Sequence, residues 1–140
     1  MMFSSSFAQV YYNEIAQIKN PIALYKSYTY WLKRLFIFTL IGWIILVITP
    51  SSLLTSILGE KWDGLMDAIK VISPWMAIMF IASSLSYVFI RLEKQKEIFF
   101  FDVFHLVLII ITLGLGHFFL NEKNQILYLV TIVQSVFYIL

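Results

Sequence analysis

The sequence predicts an all-α membrane protein with about four transmembrane helices, and three observations support that fold class. Of its 140 residues, 61% are hydrophobic and only 13% are charged, whereas a soluble domain of this length leaves about a third of its unfolded-chain surface in water. The charges are clustered, because residues 71–90 contain none and residues 91–97 contain five. Uncharged stretches of about 18 residues or more, as found here, are typical of membrane spans.

The first predicted span is residues 35–58, an uncharged run of 24 residues. As a helix it extends about 36 Å, which is enough to cross a hydrocarbon core of about 30 Å. Pro50 lies inside this run. We expect a kink or a helix end there, with residues 51–58 continuing as a tilted or interfacial segment.

Three further spans are predicted at residues 71–90, 98–120 and 126–140. In the second of these, Pro74 is expected in the first helical turn, where its missing N–H costs little. The third begins with an amphiphilic lead-in at residues 98–101. The last is only about 15 residues long, which is short for a complete crossing.

The placement of basic residues predicts the orientation of these spans. Seven basic residues precede the first span or separate the second from the third: Lys19, Lys26, Lys33, Arg34, Arg91, Lys94 and Lys96. Only three, Lys61, Lys70 and Lys123, fall on the other side. By the positive-inside rule the larger group is cytoplasmic, where Lys33, Arg34, Arg91, Lys94 and Lys96 are candidates to contact anionic lipid head groups.

The N-terminal segment, residues 1–20, has apolar side chains at helical spacing but is too short to span a membrane. It is either an interfacial amphipathic helix or the cytoplasmic end of a preceding helix. Residues 21–34 are predicted to be a basic cytoplasmic loop or an amphipathic lead-in to the first span.

Four stretches, in this order and spacing, carry a family resemblance: AQVYYNEIAQIKN (8–20), ILGEKWDG (57–64), ISPWMAIMFIASSLSYVF (72–89) and LEKQKE (92–97). Together they resemble the later part of bacterial oligosaccharide (O-antigen type) flippases of the multidrug/oligosaccharidyl-lipid/polysaccharide exporter superfamily. Gly59 and Trp62 match the Gly-x-x-Trp turn that this family shows outside the membrane. Ser84 departs from the family, which often has proline there, and this loosens the kink expected at that point.

The resemblance implies a place in a larger transporter. The parent fold is a MATE-like helix bundle of about a dozen helices in two halves, which carries undecaprenyl-diphosphate-linked oligosaccharide across the bacterial inner membrane. This chain would be the last third of such a protein, with residues 1–20 as the cytoplasmic end of a preceding helix. Its expected partners are the lipid bilayer, the missing N-terminal helix bundle and, through the complete transporter, the lipid-linked oligosaccharide.

Asp102 and His105 are the candidate substrate or ion pathway residues, because they lie three apart on one face of the third helix. Ionisable groups inside a membrane are usually functional, here as a proton or cation relay or a contact to a substrate head group. A simpler interpretation, which we favour, is that Asp102 stays hydrated one turn from the cytoplasmic boundary while His105 leans toward it. Gln134 is placed to hydrogen-bond to a neighbouring helix.

Several function classes are unsupported by these residues. The chain has no cysteine, so thiol nucleophiles, disulfides and thiolate metal sites do not arise. We find no hydrolytic constellation and expect no enzyme activity, cofactor or metal, and the ten dispersed basic residues argue against nucleic-acid binding. Gly114 and Gly116 indicate close helix approach rather than a nucleotide loop, because no strand precedes them.

An alternative function from another class is a small membrane interaction or scaffold protein. Two pairs of small residues lie four apart on the second span, Ser73 with Ala77 and Ala82 with Ser86. Such pairs permit close packing between membrane helices, so this face would assemble several copies or bind a partner.

Overall fold

The computed structural model describes residues 2–120 and 122–139, and within these ranges the chain is mostly helical, with short connections and no strand. The all-α prediction is therefore confirmed. The helices, in chain order, are α1 (Met2–Ala16), α2 (Pro21–Ile48), α3 (Ser52–Leu58), α4 (Leu65–Leu85), α5 (Tyr87–Arg91), α6 (Gln95–Phe119) and α7 (Lys123–Ile139). A short 3₁₀ turn, Glu60–Trp62, lies between α3 and α4.

Helix α2 begins earlier than the sequence pattern predicted. The basic stretch 21–34, expected as a loop or lead-in, is the first half of α2 and is continuous with the apolar half. The Asn20 side chain accepts a hydrogen bond from the Ile22 N–H at 2.8 Å, and Pro21 occupies the first helical position. Both features favour a helix start, because the amide oxygen satisfies an unpaired N–H and proline has none to satisfy.

Pro50 ends α2, as expected. Thr49 has an extended backbone with ψ of 128°, the conformation that a following proline favours, and α3 resumes at Ser52. The chain then turns through Gly59 and Gly64, whose φ angles of 92° and 76° strain any residue with a Cβ. We call this segment, residues 59–64, the outer elbow.

Pro74 lies inside α4 as its tenth residue, and the prediction that it occupies the first turn was wrong. The helix starts at Leu65, directly after the left-handed Gly64. Proline cannot donate to the Lys70 carbonyl one turn earlier, but the Ser73 hydroxyl donates to it at 2.7 Å. The same hydroxyl accepts from Trp43 Nε1 at 2.9 Å, so the interrupted turn also joins α4 to α2.

Helix α1 is held against α2, α4 and α5 on the side predicted to be cytoplasmic. Its Tyr11 and Ile15 form the buried core there with Leu35 and Leu85. The Arg91 guanidinium donates to the carbonyl oxygens of Ile15 at 3.3 Å and Ile18 at 3.0 Å. Carbonyls at a helix C-terminus lack donors within the helix, so Arg91 stabilises the end of α1.

The outer surface of the chain is large and apolar. Its accessible area of 10245 Å² exceeds the roughly 7,500 Å² expected from area scaling for a compact monomer of 16.4 kDa. Phe36, Ile45 and Phe104 are all more than half exposed. Among the residues that the structure describes, three helical segments are long and apolar enough to cross a membrane: Pro21–Ile48, Glu60–Arg91 and Gln95–Phe119. Helix α7 is apolar but shorter, and its crossing stays a prediction.

Candidate functional site

His105 lies in an aromatic site formed by α4, α6 and α7. Its Nδ1 is 3.3 Å from the Tyr138 hydroxyl oxygen, and its ring stacks on Phe137 with centroids 5.3 Å apart. The Trp75 ring from α4 meets it edge-on at 6.4 Å. His105 is buried, with 9% of its surface exposed. These three partners lie on α4 and α7 and not on its own helix, α6.

Asp102 takes no part in the hydrogen bond and ring contacts of His105. Its side chain is exposed, and no hydrogen bond joins it to His105. The expectation that His105 leans toward Asp102 was therefore wrong. Helix geometry explains the difference: residues three apart lie about 60° apart around the axis, and the buried stripe of α6 contains His105, Thr112 and Gly116. Asp102 lies off that stripe and is exposed, whereas His105 is buried and contacts α7 through Tyr138.

The same interface contains buried polar atoms without a hydrogen-bond partner among the described residues. Gln134 is fully buried, and neither its amide nitrogen nor its amide oxygen is paired. His105 Nε2, Trp75 Nε1 and the Ser135 hydroxyl are also unpaired. The prediction that Gln134 bonds to a neighbouring helix was thus wrong in this structure.

Unpaired buried polar atoms are chemically significant because each costs about 1–3 kcal/mol. Gln134 and Tyr138 lie one turn apart on α7, and Tyr138 contacts His105. This face of α7 therefore offers N–H donors and an amide oxygen in otherwise apolar surroundings. Buried groups of this kind commonly hydrogen-bond to an ordered water. The proton or ion pathway through Asp102 and His105 stays a prediction.

Sequence reasoning missed Trp75 and Tyr138 as neighbours of His105. The sequence does predict that Gln134 and Tyr138, four residues apart, lie on one face of a helix. Nothing in the sequence indicated that Trp75, thirty residues before His105, would lie beside it.

The outer elbow owes its glycine to backbone conformation. No atom lies within 4 Å of the position that a Cβ on Gly59 would take, so its positive φ, and not a lack of space, favours glycine. Trp62 is 46% exposed, which suits an indole at a membrane interface. The Ser51 hydroxyl donates to the Asp67 carboxylate and connects the start of α3 to α4.

The predicted cytoplasmic basic residues have different environments. Lys33, Arg34 and Lys96 have exposed side chains, and Arg34 lies 4.6 Å from the centre of the Tyr30 ring. Lys94 pairs with Glu97 at 3.2 Å. Arg91 differs from the others because its guanidinium is bound to one carbonyl of α1 and one just after it. Its contact here is structural, and a contact of Arg91 with lipid head groups stays a prediction.

Glu14 was not singled out from the sequence, although it is a polar junction between α1 and α2. Its two carboxylate oxygens accept hydrogen bonds from the Ser27 hydroxyl at 2.7 Å and from Trp31 Nε1 at 2.8 Å. Hydrogen bonds to an ionised acceptor are stronger than neutral ones. The sequence did contain a signal for this junction, because Glu14 is the only acidic residue among residues 1–20.

The geometry thus presents a helical chain with exposed apolar faces, an outer elbow and a buried polar site around His105. Comparison with protein-family models, curated proteins and solved structures finds no match for this chain.

Proposed function

We propose that this chain is the C-terminal part of a flippase that moves undecaprenyl-diphosphate-linked oligosaccharide across the bacterial inner membrane. The observation that carries the proposal is the position of the four family-like stretches along the helices. Residues 8–20 cover the second half of α1 and the link to α2, residues 57–64 include the outer elbow, and residues 92–97 cover the link from α5 to α6 and the start of α6. The remaining stretch, 72–89, covers the second part of α4 and the start of α5, between the elbow and that link.

The proposed activity requires helices beyond these 140 residues. A diphosphate crosses a membrane only through a hydrated cavity with compensating cations. Residues 35–58, 71–90 and 98–120 contain no Lys or Arg. We therefore expect that the chain transports only together with an N-terminal helix bundle, which would supply the cations and the opposite wall of the cavity.

The test is complementation in a bacterium that lacks its own flippase. The chain is expressed alone, with the N-terminal bundle of a flippase of this class, or replaced by that bundle alone, and surface glycan is measured. We expect export only when both parts are present. Robust flipping of lipid-linked glycan by the isolated chain in liposomes would contradict the proposal, as would export by the bundle alone at the same level.

The alternative, a scaffold that assembles through small-residue faces, has less support from the packing. The Ser73 hydroxyl is already engaged by Trp43 within the chain. A Cβ on Gly116 would lie 3.1 Å from Ile126 Cγ2, so this glycine permits contact between α6 and α7. A defined oligomer in mild detergent would favour the scaffold, whereas neighbouring glycosyltransferase genes would favour the flippase.

A further inference from the structure

A groove on the outer half of the molecule has the form of a lipid site. It lies between α4 and α7, with the end of α2 beside it, and has a volume of about 590 Å³. Its lining is mostly hydrophobic and includes Val47, Lys70, Pro74, Tyr128, Ile132 and Val136. Grooves of this size and composition accommodate hydrophobic ligands with a few polar contacts.

The groove begins at the outer interface, given the orientation that the basic residues predict. Lys70 is the sixth residue of α4 and Tyr128 the sixth of α7, while Val47 is next to the last of α2. All three helices have these ends on the side opposite the cytoplasmic loop. From Tyr128 to Val136 the groove follows α7 inward for about 12 Å, which approaches the depth of one leaflet of a core about 30 Å thick.

The mouth of the groove contains a cation without an ion-pair partner. Lys70 forms no salt bridge within residues 2–120 and 122–139. The ion pair found in these ranges joins Lys94 and Glu97. Asp67, one turn before Lys70, receives the Ser51 hydroxyl. Deeper in the groove, the Ser135 hydroxyl is buried and unpaired.

We propose that this groove binds one anionic glycerophospholipid from the outer leaflet. The Lys70 ammonium pairs with the head-group phosphate, and an acyl chain lies along Pro74, Ile132 and Val136. An ammonium attracts phosphate as a point charge, while the apolar walls remove the chain from contact with mobile lipid. The depth of about one leaflet favours an acyl chain over the much longer polyprenyl chain of a glycan carrier. This inference rests on the membrane orientation and does not require the proposed glycan transport.

The experiment is native mass spectrometry of the full chain in detergent, titrated with phosphatidylglycerol or phosphatidylcholine of identical acyl chains. We expect one tightly retained phosphatidylglycerol and weaker retention of phosphatidylcholine. Lys70→Gln should weaken phosphatidylglycerol binding about fivefold and phosphatidylcholine binding less, because the choline group already offsets the charge of its phosphate. Ile132→Trp, which fills the groove, should reduce both.

Matched control variants distinguish lipid binding in the groove from nonspecific lipid binding elsewhere on the chain. Lys61→Gln removes an elbow lysine from the same side, and Leu113→Trp enlarges an exposed residue of α6 outside the groove. Both should leave lipid binding unchanged, and helicity by circular dichroism verifies that each variant folds. Equal retention of the two lipids, or equal losses from Lys61→Gln and Lys70→Gln, would overturn the proposal. Displacement by equimolar polyprenyl phosphate would overturn it by assigning the groove to the glycan carrier.

Discussion

Ser73 shows how a single side chain allows a proline inside a membrane helix. Pro74 leaves the Lys70 carbonyl without its helical donor, and the neighbouring hydroxyl replaces that donor at 2.7 Å. In hydrocarbon, no water is present to satisfy the carbonyl, so a local substitute is required. Because Trp43 donates to the same hydroxyl, the repair of α4 also fixes its contact with α2.

Gln134 presents the opposite case, a buried side chain whose polar atoms are unpaired. We predict that Gln134→Leu raises the free energy of unfolding by about 1–3 kcal/mol, because an isosteric apolar group removes the desolvation cost. The measurement is reversible unfolding of the full chain in detergent micelles. Gln125→Leu, at an exposed position near the start of α7, is the control and should change stability little.

A loss of stability in Gln134→Leu would contradict this interpretation and would mean that the amide has partners in solution. The expected gain would instead support a functional reason for keeping the amide, since unsatisfied polar groups in natural proteins concentrate at functional sites.

At the scale of elements, α6 and α7 approach closely at one glycine and not at its neighbour. A Cβ on Gly116 would meet Ile126 Cγ2 at 3.1 Å, while one on Gly114 would meet nothing within 4 Å. The sequence pattern assigned both glycines to helix packing. Two positions apart, they face different sides of α6, and only Gly116 lies on the buried stripe.

We predict that Gly116→Leu destabilises the helix pair by about 1–3 kcal/mol, since overpacking forces the helices or Ile126 to shift. Gly114→Leu is the matched control because it adds the same side chain toward open space. The free energy of unfolding in micelles measures both. Similar effects from the two variants would show that α6 and α7 do not pack as described.

At the scale of the whole molecule, the predicted topology places the basic residues before the first span and those between the second and third spans on the same side of the membrane. If α2 forms one crossing and α4 with α5 forms the next, we expect Lys26 and Lys94 on the cytoplasmic side and Lys61 on the other side. The chain has no cysteine, so single cysteines introduced at these positions are unique labels.

In intact cells, a membrane-impermeant maleimide should modify Lys61→Cys but not Lys26→Cys or Lys94→Cys. Disruption of the membrane should expose all three, which controls for thiol reactivity. Labelling of Lys26→Cys and Lys94→Cys from opposite sides would contradict the topology and remove the basis for an outer-leaflet groove.

The amino-acid sequence by itself determined the helical class, the long apolar segments and the helix end at Pro50. These are local properties: residue hydropathy, charge placement and the missing N–H of proline act within a few turns of one helix. The helix start at Pro21 was equally local, in Asn20 and Pro21, but the cluster of basic residues suggested a loop.

Only the tertiary structure decided which side chains meet between helices. His105 contacts Tyr138 and Trp75 rather than Asp102, and Arg91 binds the Ile18 carbonyl just after α1, 73 residues earlier in the chain. Contacts of this kind depend on how helices rotate about their axes and which neighbours they choose. Apolar residues surround most of each helix here, so hydrophobic periodicity leaves that rotation undetermined. Polar contacts between helices and the close approach at Gly116 determine this rotation.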